Sequence, residues 1–272
     1  MDVPGFAVIT GSGSGIGRAC AQTFARDGAT GVALFDVNAD GLAKTKALIE
    51  EKKYTSQRGE PCRVITFVVD VTDEARVNEA VNAVKQDFGR LDYVVNAAGV
   101  AFKHAGGAAF ADSKDWHRVL DINLHGTFYI LKAAAKIMLQ QDPIISIIDG
   151  RPLQRGSIVN LASVQGFIAT PLSTSYVTSK HAVIGLTKTA SEDYAKDGLR
   201  INAICPGYIA TPMTTDSAQI RAVMEEKVAT AVPMLRAGKP EEIADGVVYL
   251  SGGRSSFVTG SSLVVDGGYI QR

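Results

Sequence analysis

Short apolar runs recur along the chain, and segments with helical spacing of apolar residues separate them. Phe6 to Thr10, Gly31 to Asp36, Val64 to Val69, Tyr93 to Asn96, Ser157 to Leu161, Arg200 to Cys205 and Leu263 to Val265 read as strands. They are mostly continuous rather than alternating, as expected where both sides of a strand are covered. Between them, a helix starts at about Ile16, and Glu74 to Phe88, Trp116 to Leu139 and Tyr176 to Lys196 carry helical patterns. This alternation predicts an α/β fold, a doubly wound parallel seven-stranded sheet with helices on both faces. No Pro/Ser-rich linker or internal repeat divides residues 1–272, so the chain reads as a single domain.

Residues 141–155 (QDPIISIIDGRPLQR) interrupt the rhythm, being longer than the usual helix-to-strand connection. Such a connection lies at the N-terminal edge of the strands, and ligands bind at the C-terminal edge. The segment is therefore expected to face away from any site. Ile144, Ile145, Ile147 and Ile148 suit a short strand or a subunit contact, and a locally packed loop is the simpler expectation.

Composition narrows the function classes. Lys plus Arg equals Asp plus Glu at 28 each, so net charge supplies no general attraction for nucleic acid or anionic lipid. No apolar run reaches the roughly 18 residues of a membrane span. Neither nucleic acid nor membrane is expected as a partner. The N-terminus carries no basic-then-apolar signal, which makes the cytoplasm the default compartment. Cys20, Cys62 and Cys205 are few and scattered, and His104, His117, His125 and His181 form no ligand spacing. The histidines read as surface or packing residues, with no metal expected.

The first strand runs into Thr10-Gly11-Ser12-Gly13-Ser14-Gly15-Ile16-Gly17. A strand, a glycine-rich turn and a helix make a pyrophosphate site. Gly11 permits the sharp turn, Gly15 lets the backbone approach the phosphates, and Gly17 lets the helix pack on the strand. The free N–H groups of the helix start face the anion. A plain Gly-rich turn is the alternative. About twenty residues on, the second strand ends in Phe35-Asp36-Val37. A carboxylate there accepts hydrogen bonds from an adenosine ribose and repels a 2′-phosphate, which favours NAD over NADP. Arg18 is the nearest cation, inside the helix, with a solvent-facing position as the simple reading.

The second half of the chain carries the candidate chemistry. Tyr176 and Lys180 are four residues apart, hence on one helix face. Ser163 lies thirteen residues before the tyrosine. Hydride transfer at a carbonyl carbon needs a proton moved at the oxygen. A free tyrosine, with a pKa near 10, is a poor base at neutral pH. A neighbouring ammonium and an oxidised nicotinamide both favour the phenolate. Ser163 can hold the substrate oxygen beside the phenol. Taken singly, Tyr176 could be a surface aromatic, Lys180 its solvated neighbour, Ser163 a turn cap and Asn123 a buried amide.

In order and spacing, Thr10 to Gly17, Asn96-Ala97-Ala98-Gly99, Asn123, Ser163, Tyr176-Val177-Thr178-Ser179-Lys180, Pro206-Gly207 and Thr211 resemble the short-chain dehydrogenase/reductase family. The resemblance runs from about residue 5 to residue 268. It implies a Rossmann fold with residues 1–155 mainly as the cofactor half and 156–272 mainly as the catalytic and substrate half. It implies a catalytic tetrad of Asn123, Ser163, Tyr176 and Lys180, in which Asn123 holds a backbone kink and a water relay. Lys180 would also bond the nicotinamide ribose. NAD contacts are implied at Gly11, Ser14, Gly15, Ile16, Gly17, Asp36, Val37, Asp70, Val71, Asn96, Ala97, Ala98, Gly99, Tyr176, Lys180, Pro206, Gly207, Ile209 and Thr211. Ile209 and Thr211 would fix the carboxamide, and the pattern implies transfer from the B face.

The walls after Ser163, after the fourth strand and after Pro206 supply the substrate candidates. They are Ser163, Val164, Gln165, Phe167, Tyr176, Phe102, Tyr208 and Met213, with no arginine evident for a carboxylate. These suit a mainly apolar or cyclic secondary alcohol or ketone. Pro212 to Val232 is read as a mobile lid or as packed surface helices. The expected activity is hydride transfer between NAD(H) and such a substrate. An NADPH-dependent ketoreductase of a biosynthetic pathway and a non-catalytic dinucleotide-binding protein are the alternatives. The family's twofold contacts through helices 116–139 and 176–196 imply a homo-oligomer, a tetramer or a dimer.

Overall fold

The structure is a computed structural model and describes residues 3–56, 59–146 and 149–271. The strands are β1 (Phe6–Thr10), β2 (Gly31–Asp36), β3 (Arg63–Val68), β4 (Tyr93–Asn96), β5 (Ile144–Ile145), β6 (Pro152–Gln154), β7 (Gly156–Leu161), β8 (Leu199–Pro206) and β9 (Ser262–Val265). Seven of them form one sheet in the order β3-β2-β1-β4-β7-β8-β9, every pairing parallel. The order reverses between β1 and β4, and the crevice beyond the strand ends at such a switch point is where open α/β sheets bind ligands.

The helices are α1 (Gly15–Arg26), α2 (Ala39–Glu51), α3 (Glu74–Phe88), α4 (Ser113–Leu120), α5 (Thr127–Met138), α6 (Thr174–Tyr194), α7 (Pro212–Thr215), α8 (Ala218–Ala231) and α9 (Pro240–Ser251). Alternate strand residues feed two cores. Ala7, Ile9, Val32, Leu34, Tyr93 and Val95 pack with Phe24 of α1, Leu42 of α2 and Val247 of α9. Val8, Ala33, Phe35 and Val94 pack with Val81 of α3 and Ile130 of α5 on the other face. Period-2 side-chain alternation explains the near-continuous apolar strands: each face has its own helical layer. No helix among the described residues is long and apolar enough to cross a membrane.

Two sequence expectations change. Residues 116–139 are not one regular helix: α4 passes into a π-helical stretch at Asp121–Gly126 before α5 begins. Residues 141–155 are not an irregular loop either. β5 and β6 pair antiparallel, so Ile144 and Ile145 do form a short strand; Ile147 and Ile148 lie outside the described residues. Gln141 bonds the Leu91 backbone and Arg155 the Gly198 carbonyl, just ahead of β4 and β8. The hairpin therefore sits at the N-terminal edge of the sheet.

Candidate active site

One cleft of about 860 Å³ opens at the C-terminal ends of the strands and runs from Asp36 to Tyr176. Its nucleotide end is backbone-built. Gly11 has φ 63, and a Cβ there would meet Ala97 O at 2.8 Å. A Cβ on Gly17 would overlap the Gly11 carbonyl, so the start of α1 packs on the turn only as glycine. Ser14, the N-cap of α1, makes no side-chain capping bond. The first N–H groups of α1 thus border the cleft without a side-chain acceptor, as an anion site requires. The Thr10 hydroxyl accepts Ala97 N at 3.0 Å and Ala98 N at 3.1 Å, fastening the β4 exit to the glycine turn.

The Asp36 carboxylate accepts Gly13 N at 2.8 Å and Asn38 N at 2.9 Å. Arg18 does not face solvent. Its guanidinium bonds the Gly13 carbonyl, and its Nε donates to Thr45 Oγ1 at 2.9 Å. The nearest cation is thus held beneath the turn. These features fit a nicotinamide dinucleotide: uncapped N–H groups for the pyrophosphate and a carboxylate at the ribose end.

At the other end, Ser163 begins a short 3₁₀ turn after β7, and its Oγ accepts Gln165 N at 3.1 Å. Tyr176 lies in the first turn of α6. Burial pushes its phenol pKa up, and a hydrogen bond with Ser163 opposes the rise. Lys180, one turn on, is buried; its Nζ donates to Leu161 O at 2.7 Å and lies 5.5 Å from the Tyr176 ring centroid. Burial lowers the lysine pKa to about 8. Desolvation is the largest influence on the phenol and holds its pKa above the ordinary tyrosine value. Asn123 sits in the π-helical stretch and is buried. Its amide accepts Val100 N at 2.9 Å, and donates to Val100 O at 2.9 Å and Ser179 Oγ at 3.0 Å. The kink places its side chain where β4 exits and α6 passes.

Gly11, Ser14, Gly15, Ile16, Gly17, Asp36, Val37, Asp70, Val71, Ala97, Ala98, Gly99, Ser163, Tyr176, Lys180, Pro206, Gly207, Ile209, Thr211 and Met213 all line this cleft. Asn96 and Asn123 lie behind it. Asn96 is buried and donates to Asn160 Oδ1 at 2.9 Å. Five substrate candidates, Phe102, Val164, Gln165, Phe167 and Tyr208, are not part of the lining. Phe167 is 44% exposed. Tyr208 packs edge-on to Tyr269 with centroids 5.2 Å apart. Gln165 contributes its backbone N–H to Ser163 instead.

Sequence reasoning missed one wall. Lys114, His117, Arg118 and Asp121 line the cleft, so His117, though exposed as expected, faces the site, and an arginine does border it. The signal was present: these polar positions follow i, i+3, i+4, i+7 spacing, one helix face. Among the described residues no group of three or more His, Cys, Asp or Glu is placed to hold a metal ion.

A family model described as enoyl-(acyl carrier protein) reductase matches residues 11–270. The short-chain dehydrogenase anuF of Penicillium roqueforti is 41% identical over 270 residues, covering 98% of this chain and 96% of that protein. The chain belongs to the short-chain dehydrogenase/reductase family. Another relative, the 3-oxoacyl-(acyl-carrier-protein) reductase FabG of Thermotoga maritima, is 35% identical over 263 residues, covering 97% of this chain and 96% of that protein. Levodione reductase superposes with a TM-score of 0.84 at 35% identity, covering 97% of this chain and 96% of that one. As a member of this family, the protein is an oxidoreductase with a Rossmann-type sheet that binds a nicotinamide dinucleotide, NAD or NADP.

Proposed function

We propose that the protein transfers hydride between NAD(H) and a secondary alcohol or ketone of mainly apolar or cyclic character, with Tyr176 as general acid/base. The observation that carries this reading is the Ser163–Tyr176–Lys180 group, gathered in the same cleft as Asp36 and the glycine turn. The nicotinamide ring, when bound, gives or takes the hydride. In the reducing direction Tyr176 donates its phenolic proton to the substrate oxygen as negative charge develops there. Ser163 orients that oxygen by a hydrogen bond, and Lys180 supplies positive charge beside the phenol. The raised phenol pKa keeps Tyr176 in its acid form through neutral pH. The reverse reaction needs additional positive charge to favour the phenolate.

The preference for NAD rests on Asp36, whose carboxylate is fixed by two backbone N–H groups, and on Arg18, whose guanidinium is engaged elsewhere. The apolar or cyclic substrate class rests on Met213, Pro212 and Ile209, which line the cleft after β8. The name of the levodione reductase neighbour is consistent with a cyclic ketone. The assembly we propose is a homo-oligomer, supported by exposed Phe128 on α5 and Phe257 before β9. The test is a screen of secondary alcohols and ketones with NADH and NADPH, following absorbance of the reduced nicotinamide. Faster turnover with NADPH would refute the Asp36 reading. Undiminished turnover by Tyr176→Phe would refute the proton-transfer reading.

A further inference from the structure

One buried histidine near the site takes no part in the chemistry above. His104 lies in the segment between β4 and α4, yet it is only 4% exposed. Its backbone N–H donates to Leu172 O at 2.8 Å. Its ring Nε2 is 3.0 Å from the hydroxyl of Ser175, 71 residues further along the chain. Ser175 is fully buried and immediately precedes Tyr176. Leu172 has φ 64, a left-handed conformation that a leucine keeps only where its neighbours fix it.

The start of α6 has no side-chain cap, and within the helix only its far side is braced, by Ser179 Oγ donating to Tyr176 O at 2.8 Å. Its N-cap, Ser173, makes no side-chain bond into the first turn, and its hydroxyl points back to Pro171 O at 3.5 Å. The other members of the catalytic group are held through their side chains. Asn123 is pinned to Val100 and Ser179, Lys180 to Leu161 O, and Ser163 to Gln165 N. The Tyr176 phenol bonds only Ser163, inside the site where it exchanges its proton with the substrate oxygen. Its position therefore also depends on the backbone of the first turn.

We infer that His104 is a positioning residue for Tyr176: its two hydrogen bonds fix the turn at Leu172 and the first turn of α6, and so set where the phenol stands relative to Ser163. The inference rests on the assignment of Tyr176 as the proton-transfer group.

The experiment compares His104→Ala, His104→Gln, Ser175→Ala and Tyr176→Phe in the full chain, using a substrate found in the screen above. It measures kcat, KM, dinucleotide Kd and the urea midpoint. Misplacing a reacting group by about 1 Å costs on the order of 100-fold. His104→Ala and Ser175→Ala are therefore each expected to lower kcat roughly 10- to 100-fold, while dinucleotide Kd stays within about twofold. The double variant should be little worse than either single one, since both remove the same link. Glutamine carries an amide N–H that reaches Ser175, so His104→Gln should recover most of kcat. A purely structural histidine would instead lower the urea midpoint and leave kcat of the folded protein unchanged, and that result overturns the inference. Should His104→Ala fail to fold, Ser175→Ala decides: wild-type kcat in that variant also overturns it. An active Tyr176→Phe defeats the tyrosine assignment itself, whereas an inactive Tyr176→Phe beside a fully active His104→Ala defeats only the role of His104.

Discussion

The two ends of the cleft are built from different materials. At the nucleotide end, β1, the glycine turn and the start of α1 present backbone N–H groups, and Asp36 is itself held by two of them. At the chemical end, side chains do the work, and burial drives their pKa values apart, the phenol upward and the ammonium down to about 8. Backbone recognition depends on chain geometry and costs the fold little. Buried charge depends on side-chain identity and does cost stability. The difference predicts that changes at the chemical end abolish turnover while sparing binding, and that changes at the nucleotide end alter which dinucleotide binds.

The sharpest break in that comparison comes from Tyr176→Phe, expected to lower kcat by about 10² to 10⁴-fold while dinucleotide affinity, measured by calorimetry, is retained. Next is Asp36→Ser, which removes the charge opposing a 2′-phosphate. The ratio of NADH to NADPH turnover should fall by roughly tenfold or more, equivalent to about 1.4 kcal/mol. An unchanged ratio would show that Asp36 does not discriminate.

Lys180→Met tests the cost of the chemical end. The lysine's folded pKa is lowered to about 8 from 10.5. Below pH 8 the fold carries the penalty of a buried ammonium; between pH 8 and 10.5 the unfolded chain holds a proton the folded one does not, so stability rises with pH. The variant should therefore be inactive, yet more stable at pH 7 by roughly 1–3 kcal/mol in urea, and should lose that rise. A destabilised Lys180→Met would mean that the bond to Leu161 O outweighs desolvation.

The smallest effect serves as a background outside both ends. Glu242, in the first turn of α9, pairs with Arg236 and accepts Lys239 N at 2.7 Å, which lowers its pKa to about 2 from 4.5. Its stabilisation is present above pH 4.5 and lost as pH falls toward 2. Because the pair is solvent-exposed, Glu242→Gln should cost only about 0.5–1 kcal/mol at pH 7, with turnover unchanged.

Much of this was legible in the sequence for physical reasons. β1, β2 and β4 fall where the apolar runs put them, because burial on both faces leaves little freedom in composition. Glycine spacing, Asp36 and the Tyr176/Lys180 pair are local patterns on single elements. The break between α4 and α5 was legible only through the family resemblance, which implied a kink at Asn123; no local pattern marked it. It depends on Asn123 bonding Val100 and Ser179, partners 23 and 56 residues away. The inward fold of Arg18, which depends on Thr45, was not legible.

The sequence alone determined the layered α/β architecture, the nucleotide turn and the residue types available for proton transfer, since these follow from periodicity and from spacing within one helix or one turn. Only the tertiary structure decided that α4 closes one wall of the cleft, that burial pushes the phenol pKa upward, and that His104 meets Ser175. Those outcomes depend on desolvation and on contacts between distant segments, and both arise only once the chain has packed.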